Sequence, residues 1–252
     1  MYGLLPNKTK ATYRRFWLAT LNLFGNEQPS PATLLTDFEP GAYLTAKETY
    51  PQVTLRGCYF HLGQAVDRNV AGLGLRAKYS QDGNFKLRVK SLPAIAFFKV
   101  ADAIPAFEHL KMLFQGDEMQ LVSYFERTYI GAVRAGGNGR RAPLFPTPFW
   151  NVRGRCDSGF LRTNNAAEGP RQGFANSMVC ADHPNMWRFL TALKRQQALT
   201  RLDVASVMVG NEKKPGRAQR ERNDRILTLM AEYTSGGNDV PKTLRGIAYN
   251  YM

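Results

Sequence analysis

The sequence predicts an α/β fold that is mostly helical, and three observations carry that prediction. Residues 31 to 36 and 53 to 57 are short apolar runs flanking a helix-period segment, 40 to 50, that Pro51 closes. Strand, helix and strand within so short a span point to a parallel crossover. From about residue 60 to 150 apolar side chains then recur at helical spacing, which reads as a large helical insertion after the strands. An apolar share of 44% with 12% aromatic is enough to bury a core, so the chain is expected to fold rather than remain disordered.

Each element has its own local signal. Tyr13, Phe16, Trp17, Thr20, Leu21 and Phe24 fall on one face of a helix over 8 to 24, with Asn7 able to cap its start and Gly25 following its end. In the helical block, Phe85, Val89, Leu92 and Ala96 make one face. Ala103, Phe107, Leu110 and Phe114 make the next, and Leu121, Tyr124, Phe125 and Thr128 a third. Gly and Arg residues from Arg134 to Arg141 form a flexible basic loop, and the Pro-rich stretch 142 to 150 is expected to be extended or turn-like. Helices are expected to start near Asn165 and at Pro184, the latter with Trp187, Leu190 and Leu193 on its buried side. Residues 210 to 225 are basic with few apolar side chains and read as a solvated linker or a helix start. The expected division is a partial core over 1–57, helical insertion and loop over 58–150, C-terminal core helices over 151–205, and a basic linker and tail over 206–252.

Charge narrows the function classes. The chain has 34 Lys and Arg against 20 Asp and Glu, a net +14, with a pI near 9.9. Such a field draws polyanions, so nucleic acid is the expected partner. Three cysteines without regular spacing do not make a secreted disulfide framework. Residues 1 to 6 lack the basic and apolar regions of a signal peptide, and no stretch reaches the roughly 18 uninterrupted apolar residues of a membrane helix. The expectation is a soluble, intracellular protein with no membrane partner.

Two carboxylates stand where chemistry would need them. Asp37 follows the first strand and precedes a helix, at the carboxyl end where open parallel sheets place ligands; an Asp there is equally suited to cap the helix. Glu168 closes Asn165-Ala-Ala-Glu168, which has the spacing of a capping box. Local sequence leaves both readings open.

Several spaced segments resemble the Mutator-like element (MULE) transposase domain, in one order from Leu4 to about Leu202. They are Gly3 to Lys8 with the aromatic-rich helix after it, Asp37-Phe-Glu39, Arg56-Gly-Cys58-Tyr-Phe-His61, Leu92 to Phe97 and Phe149-Trp-Asn151. Arg162-Thr-Asn164-Asn165 with Glu168, and His183 to Phe189, complete the set. The resemblance implies a partial ribonuclease H-like fold with a large helical insertion. It implies that Asp37 and Glu168 are the second and third catalytic acids and ligands of Mg2+ or Mn2+. Arg162, Asn164 and Asn165 would orient the Glu168 helix or contact DNA. In that family three acids hold two metal ions for DNA cleavage and strand transfer. The first acid lies on a strand upstream of the segment resembling Leu4, and nothing in residues 1 to 36 takes its part. The chain therefore resembles an N-terminally truncated domain whose metal site is incomplete, with Pro170 and Arg171 where the family usually has an aromatic and a His. A nuclear setting follows from the resemblance, as does self-association through the strand edge left without its neighbour. The alternative is a non-catalytic nucleic-acid-binding or interaction protein.

Cys58-x-x-His61 matches the family's Cys/His motif, and Cys180-x-x-His183 repeats its spacing. Four such ligands would suit tetrahedral zinc; a buried Cys with a hydrogen-bonded His is the commoner arrangement and the one favoured here. Basic residues including Arg140, Arg141 and Arg153 interleave with aromatic residues between 129 and 171, a mixture suited to phosphate contact and base stacking. The loop is assigned to DNA, and Trp150 to the core.

Overall fold

The structure is a computed structural model that describes residues 3, 5–24, 31–157, 186–211 and 217–250. It is mostly helical with a small two-stranded parallel sheet. The chain divides into two compact units, Met1–Arg162 with Arg222–Met252, and Thr163–Glu221.

The larger unit opens with helix α1 (Lys10–Phe24), then β1 (Thr33–Thr36), α2 (Pro40–Thr49) and β2 (Thr54–Gly57). The strands pair in parallel, Thr33 against Thr54 through Thr36 against Gly57, so the crossover expected from sequence forms. Pro40 pre-sets the first turn of α2, and Lys10 and Arg14 of α1 both reach Glu48 of α2, at 2.6 Å. Among the described residues each strand has a single neighbour. Leu34 and Leu35 of β1 are half-buried.

The helical block follows as α3 (Tyr59–Gly72), α4 (Arg76–Gln81), α5 (Gly83–Ala94), α6 (Ala103–Lys111) and α7 (Met119–Phe125), the last running into one π-helical segment, Glu126–Ile130. Asp82 starts α5 by accepting hydrogen bonds from the Asn84 and Phe85 amides at 2.8 and 3.0 Å. Phe85, Val89, Leu92, Ala96, Ala103, Phe107, Leu110, Phe114, Leu121 and Phe125 are all buried, as the helical periodicity requires. Their rings and methyls make one continuous core.

Two expectations change. The Pro-rich stretch forms a helical turn, α8 (Thr147–Trp150), before α9 (Arg153–Asp157). Pro146 and Pro148 suit the entry and first turn of a helix, where the missing amide has no intrahelical partner. Trp150 is fully buried with its indole N–H donated to the Tyr129 carbonyl at 3.1 Å. In the smaller unit, α10 (Met186–Met208) forms, but Trp187 is 79% exposed rather than buried. Apolar periodicity marks a face that can be covered; it does not supply the cover.

Sequence did not announce what the C-terminal segment does. Helix α11 (Arg217–Thr234) and helix α12 (Val240–Asn250) follow the basic stretch. From Arg222 onward this segment belongs to the larger unit, where Ile226, Met230, Leu244 and Ile247 join the core. Arg153 fastens it, donating to the Met230 carbonyl at 3.3 Å and the Thr234 hydroxyl at 3.2 Å.

Candidate functional site

Parallel register brings the ends of β1 and β2 level, so Asp37 and Cys58 lie side by side in the fold, one residue past paired Thr36 and Gly57. The Cys58 amide donates to the Thr36 carbonyl at 2.9 Å, extending the ladder by one step. Cys58 then starts α3, its carbonyl accepting from the Leu62 amide at 3.1 Å, and His61 falls in the first helical turn. Its Nδ1 sits 2.9 Å from Asp37 Oδ1, with the two side chains 12% and 40% exposed. Asp37 does not cap α2: Glu39 occupies the cap position and makes no side-chain cap hydrogen bond.

What anchors this corner is an aromatic cluster. Phe38 meets Tyr129, Phe145 and Phe149 edge to face, which fixes the backbone immediately after Asp37. Gly57 admits the cluster to β2, since a Cβ there would lie 2.8 Å from Phe38 and 2.9 Å from Phe149. Arg155, buried, donates to the Gly57 carbonyl at 3.0 Å and ties α9 to the same strand end. Tyr13 of α1 also faces this corner: burial, then the charges of Glu39 and Asp37, push its phenol above the ordinary value. Burial likewise raises Tyr129, whose hydroxyl lies 3.2 Å from that of Tyr124. Sequence offered no signal for Tyr13, which the periodicity assigns only to a helix face.

The other candidates separate into three groups. Arg162, Asn164, Asn165, Glu168, Cys180 and His183 lie outside the described residues. Arg140 and Arg153 are engaged in the fold. Arg140 pairs with Glu126 at 2.9 Å, with Glu108, and with the Gly131 carbonyl; Arg153 fastens α11 as described above. Arg141 is exposed, and so is Arg134 across the same hairpin. That hairpin is held by the Val133–Arg140 bridge, by the Arg141 amide on the Ala132 carbonyl at 2.8 Å, and by the Arg134 amide on the Gly139 carbonyl at 3.1 Å. Gly137 and Gly139 take positive φ of 73° and 79° at its tip, which only glycine adopts without strain.

A divalent-metal site needs more than this corner supplies among the described residues. They contribute Asp37, with Glu39 two residues on and paired to Lys8 at 3.4 Å, and no cluster of three His, Cys, Asp or Glu side chains able to hold a metal. Mg2+ demands several oxygen ligands in octahedral array, so Asp37 by itself does not fit a two-metal centre, and no catalytic step is derived through one. Cys58 and His61 alone are likewise half of a tetrahedral zinc set. No described helix is long and apolar enough to cross a membrane. No protein family, curated protein or solved structure matches the chain.

Proposed function

We propose that the chain is a MULE-type transposase-derived protein whose partial ribonuclease H-like core binds DNA and does not cut it. The observation that carries the reading is Asp37 at the carboxyl end of β1, two-fifths exposed and beside the Cys58 and His61 of the adjacent strand end. It supports the reading by bringing together, at one end of the sheet, two of the segments on which the transposase resemblance rests. In the ancestral reaction Asp37 and Glu168 would hold Mg2+ or Mn2+ as second and third acids; nothing in residues 1 to 36 takes the part of the first. Binding is electrostatic, drawn by the +14 net charge and made by exposed arginines such as Arg134 and Arg141. A nuclear setting belongs to the same reading.

The test is duplex affinity by fluorescence anisotropy across a salt series. The reading expects log affinity to fall linearly with log salt, little sequence preference, and no change in Asp37→Asn. Affinity that ignores salt, or no binding at low salt, rejects it. A second reading, a protein-interaction module, rests on the exposed Trp187, Leu202, Val207 and Met208 of α10.

A further inference from the structure

Away from the Asp37 corner, α5, α6 and α12 of the larger unit enclose a cleft of about 290 Å³. Its apolar wall is Leu87, Leu110, Leu113 and Leu244 with Pro241; its polar groups are Arg88, His109, Arg245, Asn84 and Ser91, and no carboxylate lines it. A cleft of mostly apolar wall with a few convergent polar groups is the common form of a small-molecule site.

The charges have an uneven balance. Glu118 is shared by Arg88, at 2.8 and 3.0 Å, and Lys78, at 2.8 Å. Lys78 also meets Asp117, at 3.4 Å, so both of these cations are answered within the fold. Arg245 is exposed and makes no ion pair with any described carboxylate. The cleft thus sets the exposed guanidinium of Arg245 against a leucine wall, and the complement of that surface is an anion with an apolar body. At a water's ~30 Å³ share of volume, the space holds roughly ten non-hydrogen atoms.

We propose that this cleft binds a small carboxylate with an aromatic or branched apolar body. The planar guanidinium fork pairs with the two carboxylate oxygens, and the leucines take the body. This site is independent of the DNA reading, sharing none of its residues.

The experiment is isothermal titration of the full chain with phenylacetate, whose ten non-hydrogen atoms match the cleft, with neutral phenylacetamide, acetate and phenyl phosphate as comparison arms. Saturable one-site binding of phenylacetate is expected, with phenylacetamide and acetate each about tenfold weaker or more. Arg245→Gln should weaken phenylacetate about tenfold, and Leu113→Glu should abolish it. Both positions are substantially exposed, and unchanged melting of the free variants would show that folding is intact. Absent binding, equal affinity for phenylacetamide, a preference for phenyl phosphate, or an unaffected Arg245→Gln variant would overturn the assignment.

Discussion

Glu126 shows how a basic chain spends its few acids. It is 9% exposed and accepts from Lys111 at 3.0 Å and from Arg140 at 2.9 Å. Burial opposes its charge, but the two hydrogen-bonded cations outweigh burial and hold the carboxyl below its ordinary value. A group depressed in the folded state contributes stability that is full above its unfolded pKa and fades as pH falls through the folded one. Glu126→Gln should therefore cost about 2 kcal/mol at pH 7 and lose part of the stability drop between about pH 5 and 3. Urea midpoints across that range check both, and parallel pH curves for the two proteins would contradict the assignment. Gly57→Ala tests a different residue-scale claim. Its new methyl must displace Phe38 or Phe149, so about 1 to 3 kcal/mol should be lost; an unchanged midpoint would show that the cluster gives way freely.

Among the elements, the hairpin from Val133 to Arg141 divides its arginines by task. Arg140 points back into the glutamates while Arg134 and Arg141 remain in solvent, so a salt-slope measurement should respond to Arg134→Ala and Arg141→Ala together. The slope of log affinity against log salt should flatten by about 0.9 for each phosphate that the protein no longer neutralises. An unchanged slope moves the DNA surface elsewhere. Sequence could propose the whole Arg-rich loop but not divide it, because Glu108 and Glu126 reach Arg140 from helices 32 and 14 residues away. The crossover, by contrast, was legible from residues 31 to 57, where period, Pro51 and strand length are all local. Helix α12 was not legible for the opposite reason. Leu244 and Ile247 carry a short apolar face after a polar stretch, and only the fold reveals that α5 and α6 cover it. Leu244→Ala should cost about 3 kcal/mol, read as a lowered urea midpoint; a surface tail would lose almost nothing.

For the whole molecule, the parallel pair is the telling feature. Two strands carrying half-buried leucines, each with one described neighbour, leave backbone groups able to pair with another chain. The 252-residue chain is expected to self-associate, as sedimentation velocity would show; a monomer at every concentration would count against an open edge. The Asp37 corner was legible in part. The strand end and the Cys58-x-x-His61 spacing were readable in sequence, while the 2.9 Å approach of His61 to Asp37 depends on the register that sets the two strand ends level. The central claim is retention of DNA with loss of cutting, and one agarose-gel measurement on supercoiled plasmid reports both. With Mn2+ present, the account predicts plasmid retarded by the protein, released by salt, and still supercoiled. Metal-dependent conversion to open circles that disappears in Asp37→Asn would contradict it.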